Sequence, residues 1–339
     1  MAETLPLLQE KMEPTNRTFM SARHSPKGSR PQAIAHRGYR AAFPENTMAA
    51  FKGAVKVGAH AIETDIHLTK DGVVVLSHVR CPSRPAILSY KYRFDVTQDP
   101  TLQRCFGKKD RIIDLEWREI ESLRTIQAPG EPMPRLKDLL KYLSEPGLED
   151  IWVLLDIKTD NNADDVMRLI ARTLKEGSPL RPWSERILLG FWIPQYLPLC
   201  TKYLPNYRTT HIGYSIPYAR QFLKEPGVSF NMLQQSMVGP LGNKFLRDLK
   251  AAERSIFLWT VNDEERMRWC VMKEVDGVIT DDPLKFLEIS RNYNGERCRL
   301  PASQYGFAIW INIMATLFGF IHRFRKSKGS HRRQAIAHR

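Results

Sequence analysis

The 339-residue chain has few cysteines, and they follow no recognisable pattern. There are five, an odd number, and their spacing fits no common metal-binding motif. This excludes a small secreted domain held together by disulfides and a zinc-finger type of site. We expect reduced thiols in a cytosolic environment.

We also expect no leader sequence at the start of the chain. Residues 1–32 contain only a short apolar patch, and three Glu lie among the bases. A secretory signal needs a longer apolar region, and a mitochondrial transit peptide is poor in acids. We expect residues 1–32 to form a disordered lead-in.

Charge is absent from one segment near the other end. No charged residue occurs from Leu300 to Ile321, and at about 1.5 Å per residue this segment could just cross a bilayer core of about 30 Å. Bases lie on both sides of it, as they do around segments anchored at lipid headgroups. We predict a membrane anchor over 300–321 and a basic tail over 322–339. The alternative is a buried C-terminal helix of the folded domain.

Basic residues are concentrated at this same end. The net charge is +14, and residues 291–339 hold ten Lys and Arg against one Glu. Such a tail suits an anionic membrane or a nucleic acid. The neighbouring apolar segment favours the membrane, so we predict a membrane partner, no nucleic acid and no protein partner.

Between the two ends, short apolar strands alternate with helical patterns. Nine strand candidates run from AIAHR to DGVIT, and Asp71-Gly72 marks a hairpin between the second and the third. Without the hairpin strand, eight strands alternate with helices over roughly 250 residues. The pattern predicts an α/β fold, a (β/α)8 TIM barrel over 33–290, followed by the hydrophobic membrane segment.

Acidic side chains at the predicted strand ends suggest a metal site. Glu63 and Asp65 lie two apart on one strand, so both leave it on the same face. Their mutual repulsion favours a cation between them, and Mg²⁺ and Ca²⁺ take such oxygen ligands. Asp156, at the end of another strand, can supply a third oxygen. An isolated acidic pair is more often a solvated face, but this strand is otherwise apolar.

Basic side chains and histidines at other strand ends suggest phosphate chemistry. His36 and His78 can move protons near neutral pH, although a single histidine is often only structural. Arg37 can bind a phosphate through its fork of donors, and Lys158 can balance phosphate charge. Together with the three acids, these residues predict a phosphodiester-cleaving site that uses Mg²⁺ or Ca²⁺.

Several motifs resemble one family. The stretch HRGYRAAFPENTMAAFKGAVKVGAHAIETDIHLTKDGVVVLSH, followed by DIK, WTVN and DGVITDDP, is similar to the glycerophosphodiester phosphodiesterase family from about Ala33 to Ile289. The resemblance implies a (β/α)8 barrel and a divalent metal. It also implies that internal attack by a glycerol hydroxyl forms a cyclic phosphate, which water opens to glycerol 3-phosphate.

The resemblance also assigns roles to residues. It implies His36 and His78 as the acid/base pair, Arg37 as the phosphate binder, and Glu63 and Asp65 as metal ligands. Where the family usually has Glu as third ligand, this chain has the shorter Asp156. Residues counted as supporting are Glu45 and Asn46 of PENT, expected to cap the following helix and brace its loop, together with Asp99 and Trp259.

The chain departs from the family directly after His78. The family has Asp at the next position, where it orients the ring, and this chain has Val79. Removal of Val79–Gln98 would bring Asp99 next to His78. We therefore expect residues 79–98 to be an insertion, either a retained intron or a loop proper to this chain, and we expect it to weaken catalysis by displacing the partner of His78.

Three functions follow from these features. The first is cleavage of phosphatidylglycerol to diacylglycerol and glycerol 3-phosphate, because a barrel with a hydrophobic C-terminal anchor looks like the fungal phosphatidylglycerol phospholipase C group. The second is the same chemistry on water-soluble glycerophosphodiesters. The third is a catalytically silent membrane-bound scaffold. For the first, we expect an intracellular membrane surface of the endoplasmic reticulum, lipid droplets or mitochondria, with the barrel in the cytosol.

Overall fold

The computed structural model describes residues 30–78 and 101–314. Within these ranges, β1 pairs with both β2 and β9, so eight parallel strands close into a barrel. The predicted (β/α)8 barrel is confirmed. The strands are β1 Gln32–His36, β2 Ala61–Leu68, β3 Val74–Leu76, β4 Trp152–Ile157, β5 Ile187–Phe191, β6 Arg208–Gly213, β7 Ser229–Leu233, β8 Ile256–Trp259 and β9 Gly277–Thr280.

Helices surround the barrel and connect its strands. We name the final helix, at residues 302–314, α11. The others in the described ranges are α1 Met48–Lys56, α2 Gln103–Phe106, α3 Trp117–Ile120, α4 Leu136–Leu143, α5 Ala163–Lys175, α6 Tyr196–Tyr203, α7 Ile216–Ala219, α8 Pro240–Ala251, α9 Glu264–Met272 and α10 Pro283–Asn292.

The third strand is the predicted hairpin excursion. β3 runs antiparallel to β2, with Leu76 opposite Ile66, and does not take part in the closure of the barrel. The turn passes through Gly72, whose φ of +81° is a conformation that glycine adopts readily. This hairpin places the chain that follows β3 beside the end of β2.

The strands are buried on both faces, as in other barrels covered by helices. Along β4, Trp152 and Leu154 belong to the cluster inside the barrel, whereas Val153 and Leu155 pack in the outer core. Helix α5 illustrates the outer layer. Asn162 caps its first turn by accepting hydrogen bonds from the two backbone N–H groups of Asp164 and Asp165.

Helix α11 covers part of the segment predicted to enter a membrane. One side of it packs on the barrel, where Ala308 and Ile311 are buried. The opposite side leaves Ile309 and Ile313 more than half exposed, at 59% and 52%. In the described ranges, no helix combines the length and the apolar character needed to cross a membrane.

Several predicted segments fall outside the described residues in whole or in part. The lead-in 1–32 is described only from residue 30, and the anchor 300–321 only as far as residue 314. The insertion 79–98, Asp99 and the basic tail 322–339 lie outside.

A buried histidine in the outer core makes stability depend on pH. His211 on β6 stacks on Phe222 at 4.3 Å between ring centroids, and burial lowers its pKa to about 3, only partly offset by the backbone of Phe191. Below the unfolded value near 6.5, the unfolded chain therefore binds a proton that the folded chain does not. The free energy of unfolding should fall between pH 6.5 and pH 3.

We predict that His211→Phe reduces this loss. Between pH 7.5 and pH 5, the variant should lose about 2 kcal/mol less free energy of unfolding than the unmodified protein. Urea titrations at the two pH values measure the difference, and any constant effect of the substitution on packing cancels. Equal losses in both proteins would show that His211 does not titrate in this way.

Candidate active site

The predicted site residues of the described ranges gather at one end of the barrel. Parallel strands all finish at the same end, which we call the mouth. His36 ends β1, Asp156 lies near the end of β4, and Trp259 ends β8. The topology therefore brings together side chains that are more than 200 residues apart in sequence.

Three buried carboxylates form the centre of the mouth. Oxygen atoms of Glu63, Asp65 and Asp156 lie within 4.8 Å of one another, and Asp65 stands opposite Asp156 in the β2–β4 pairing. Burial and the two neighbouring acids raise the pKa of Glu63 well above its ordinary value. A buried, all-oxygen set with mutual repulsion fits a hard divalent cation, as the sequence predicted.

Lys158 faces these carboxylates. Its ammonium forms ion pairs with both Asp65 and Asp156. Burial by itself would raise the pKa of Asp65, but Lys158 and Arg37 lower it below the ordinary value. If Lys158 also contacts phosphate as predicted, its ammonium must interact with the substrate and with these two acids at the same time.

His36 is held in one orientation by an acid from the last strand of the barrel. Its Nδ1 lies 2.6 Å from Oδ1 of Asp281, and its Nε2 lies 4.0 Å from Glu63. Because a carboxylate only accepts, Nδ1 carries the proton of the neutral ring and Nε2 keeps its lone pair. Burial and Arg37 lower the pKa of His36, which favours this neutral, proton-accepting form.

Arg37 has a strained backbone and three acidic partners. Its φ is +56°, uncommon for a side chain of this size. The backbone N–H donates to Glu63 at 3.0 Å, the guanidinium donates to Glu45 at 3.0 Å, and Nε lies 3.1 Å from Asp65. Gly38 permits the tight turn that follows, since a Cβ there would lie 2.7 Å from Ala50.

Glu45 and Asn46 brace the mouth but do not cap the helix, so the capping prediction was wrong. The N-cap of α1 is Thr47, which has extended backbone and accepts from the N–H of Ala50. Asn46, at a φ of +53°, instead turns its amide into the barrel and donates to Asp65 at 2.8 Å. Glu45 is the acceptor for several arginines.

The arginines around Glu45 include two that were not predicted from the sequence. Arg40 lies 2.9 Å from Glu45, and Arg104 binds the same carboxylate with both terminal nitrogens. Burial would raise the pKa of Glu45, but Arg37 and Arg104 lower it well below its usual range. The carboxylate is therefore permanently ionised and can orient all three cations.

His78 lies next to Arg104. A terminal nitrogen of Arg104 is 3.3 Å from Nδ1 of His78 and 3.2 Å from its carbonyl oxygen. Burial and Arg37 lower the pKa of His78 well below its ordinary value. Both predicted histidines thus reach the mouth, and His78 has a cation as neighbour.

Two tryptophans support the third carboxylate. The indole N–H of Trp192 donates to Asp156 at 2.7 Å, and its ring packs edge-on against Trp259 at 5.8 Å. Trp259 in turn donates to the carbonyl oxygen of Asn231 at 3.1 Å. The predicted supporting residue Trp259 is therefore linked to Asp156 through Trp192.

A cavity of ≈ 580 Å³ opens beside His36 and its partner. Arg40, Glu45, Arg104 and Asp281 line its polar side, and Ile126 lies on its rim with 68% of its surface exposed. The cavity offers room for one side of a substrate next to Asp281 and Arg104, the partners of the two histidines.

Comparison with known proteins decides the family. The sequence model of the Glycerophosphoryl diester phosphodiesterase family matches residues 36–285, from the histidine of β1 into α10. The chain belongs to this family.

Individual relatives agree with the family match. The chain is 26% identical over 268 residues to a glycerophosphodiester phosphodiesterase of Caldanaerobacter subterraneus, covering 76% of this chain and 97% of the relative. It is 26% identical over 302 residues to a lysophospholipase D of Homo sapiens, covering 77% and 86%. A phosphodiesterase structure from Oleispira antarctica, solved with the product sn-glycerol-3-phosphate, has the same fold at a TM-score of 0.63, with 21% identity over 78% of this chain and 98% of that one.

The family identifies the class of reaction. As a glycerophosphodiester phosphodiesterase, the chain is a phosphoric diester hydrolase that acts on glycerophosphodiesters. This outcome agrees with the two catalytic alternatives and not with a silent scaffold. The carboxylates at the mouth could hold the divalent metal that such enzymes typically use.

Sequence reasoning did not assign several residues that complete this phosphodiesterase site. Asp281 and Asn262 lie in two of the motifs that resemble the family, DGVITDDP and WTVN. Asn262 donates to Asp281 at 2.8 Å. Arg40 was visible within the first motif. Arg104 and Trp192 carried no signal, because only the folded chain brings them to Glu45 and Asp156.

We predict that Trp192→Phe weakens metal binding. The substitution keeps an aromatic ring against Trp259 and removes the hydrogen bond to Asp156. Loss of such a ligand-orienting partner typically costs about 10- to 100-fold in metal affinity. Calorimetric titration of Mg²⁺ and Ca²⁺ measures the change, with Trp310→Phe on α11 as the matched control. If the metal affinity of the Trp192 variant were unaltered, Trp192 would have no role in the metal site.

Proposed function

We propose that this phosphodiesterase cleaves a glycerophospholipid, phosphatidylglycerol, to diacylglycerol and glycerol 3-phosphate with the aid of Mg²⁺ or Ca²⁺. The observation that carries the chemistry is the buried cluster of Glu63, Asp65 and Asp156 beside His36, whose Nδ1 is bound to Asp281 so that Nε2 keeps its lone pair. A group of carboxylates that can bind a cation and a histidine that can accept a proton thus lie at the same mouth.

The residues divide the reaction between them. His36 Nε2 accepts the proton of a glycerol hydroxyl, whose oxygen attacks phosphorus and displaces the lipid alcohol to leave a cyclic phosphate. His78 acts on the departing oxygen. Water then opens the cyclic phosphate. Arg37 and Lys158 bind the phosphate oxygens. A divalent ion held by the three carboxylates would neutralise phosphate charge when bound.

Apolar side chains near the mouth support a lipid substrate. Helix α11 contacts the chain after β7, where Asn312 donates to the carbonyl oxygen of Ser236 at 3.1 Å. That chain lies at the end of a barrel strand and therefore at the mouth. The exposed Ile309 and Ile313 of α11 thus add to Ile126 as apolar surface at this end.

A lipid substrate implies a membrane partner. We propose that the enzyme works at an intracellular membrane surface, with the basic residues after 321 facing anionic headgroups and the barrel on the cytosolic side. The relation to a lysophospholipase D supports lipid chemistry within the family. We propose neither a nucleic acid nor a protein partner.

The second candidate is hydrolysis of water-soluble glycerophosphodiesters. The cavity beside His36 favours it, since Arg40, Arg104 and Asp281 on its wall suit a small polar alcohol. Turnover of phosphatidylglycerol vesicles and of glycerophosphocholine by the same preparation separates the two candidates.

We predict that Glu63→Ala abolishes turnover of either substrate while the barrel stays folded. The substitution removes one metal ligand and relieves a repulsion, so the free energy of unfolding should not decrease greatly. Release of glycerol 3-phosphate and circular dichroism measure the two effects. Glu176→Ala, in an exposed ion pair after α5, is the control. A Glu63 variant with near-native activity in metal-free buffer would refute the metal site.

We predict that charge on the exposed face of α11 separates lipid from soluble activity. The double variant Ile309→Asp, Ile313→Asp should bind phosphatidylglycerol vesicles at least about 10-fold more weakly, since each buried aspartate would be costly at a lipid interface. Turnover of glycerophosphocholine should change little. Sedimentation with vesicles and both activity assays provide the measurements.

The control uses a leucine that is even more exposed and lies at the opposite end of the barrel. Leu180 lies in the connection before β5, where 71% of its surface is exposed. Leu180→Asp should leave vesicle binding unchanged. If it weakened binding as much as the α11 variant, or if the α11 variant bound normally, α11 would not be part of the lipid-facing surface.

A further inference from the structure

His36 and His78 have opposite kinds of partner at their Nδ1 atoms. Nδ1 of His36 lies 2.6 Å from a carboxylate oxygen of Asp281, which can only accept a hydrogen bond. Nδ1 of His78 lies 3.3 Å from a guanidinium nitrogen of Arg104, which can only donate one. The proton of the neutral ring is therefore placed on Nδ1 in the first case and on Nε2 in the second.

We propose that Arg104 is a positioning residue that holds His78 as the neutral tautomer with its proton on Nε2, so that His78 serves as a fixed hydrogen-bond donor and not as a base. This inference rests on the proposed phosphodiesterase function. It assigns to Arg104 the orienting task that the resemblance gives to an aspartate directly after the histidine.

Arg104 is well placed for this task. It is part of α2, which is anchored by Leu102 and Phe106 in a small core with Val75 of β3. Its guanidinium is fixed by two hydrogen bonds to Glu45 and by one to the carbonyl oxygen of His78. The ring and the guanidinium therefore come from two neighbouring elements that share a small core.

The surroundings of His78 favour the neutral ring. Among the described residues, the charged groups that act most strongly on it are Arg37, Lys158, Glu45 and Arg104, three cations and one anion. Burial adds to their effect, and the pKa of His78 is well below its ordinary value. An imidazolium at this place would meet both desolvation and repulsion.

The donor role needs no net proton transfer at His78. Nε2–H donates a hydrogen bond to the departing oxygen as negative charge develops there, and the ring keeps its proton throughout. The departing oxygen takes a proton from water to leave as the alcohol, and the resulting hydroxide takes up the proton that His36 accepted from the attacking hydroxyl. Such a donor, aimed in advance at developing charge, can contribute a large part of a rate enhancement. His36, with the reverse tautomer, remains the proton acceptor. The mouth therefore holds a proton acceptor and a hydrogen-bond donor at the same pH.

The first test reads the tautomer directly in the full-length protein. Nitrogen-15 NMR at pH 7 should show His78 with an unprotonated Nδ1 and a protonated Nε2, and its signals among the nine histidines are identified by their loss in His78→Asn. A proton on Nδ1, or on both nitrogens, would overturn the proposal even if the Arg104 variants failed to fold.

The second test changes the partner. Arg104→Met removes the donor while Glu45 keeps Arg37 and Arg40, and kcat on glycerophosphocholine should fall on the order of 100-fold with little change in KM. The His78 signals should then move toward a mixture of tautomers. Arg104→Lys restores a donor and should recover part of kcat and the original tautomer.

Arg118→Met is the matched control, because Arg118 is an exposed arginine on α3 that forms an ion pair with Glu116. It should alter neither kcat nor the spectrum. If Arg104→Met left both kcat and the tautomer unchanged, Arg104 would not position His78. An unmodified enzyme without activity on either substrate would instead refute the proposed function, and the tautomer would still be readable.

Discussion

Electrostatic repulsion among buried acids is the constraint on which the rest of the mouth depends. Three carboxylates lie within 4.8 Å of one another in a place that water barely reaches. Such an arrangement is stable only with positive charge beside it. Lys158 and Arg37 provide that charge in the described chain, and both come from the ends of barrel strands.

Glu45 extends this arrangement toward both histidines. Through Arg40 it is linked to Asp281, which orients His36, and through Arg104 it is linked to His78. One ionised carboxylate thus connects the two histidines through arginines. Strained backbone at Arg37 and Asn46 fits this picture, because both residues turn their side chains back into the mouth.

The surface around the mouth joins this chemistry to the question of substrate. The cavity wall is polar near Arg40 and Asp281, whereas Ile126 and the outer face of α11 are apolar. A lipid with a polar headgroup has both characters, which is why the phosphatidylglycerol proposal accounts for the two kinds of surface together. A small soluble diester would use only the polar wall.

The sequence by itself determined the barrel and most of the acids and bases at its mouth. Apolar runs of strand length and a hairpin turn are local patterns, and the residues at strand ends can be read because parallel strands finish at one mouth. Only the tertiary structure decided the partners. Arg104 meets His78, Trp192 meets Asp156, and Thr47 rather than Asn46 caps α1. Their contacts depend on the exact turn of a loop and on the packing of distant elements, and no local pattern in the sequence encodes such distances.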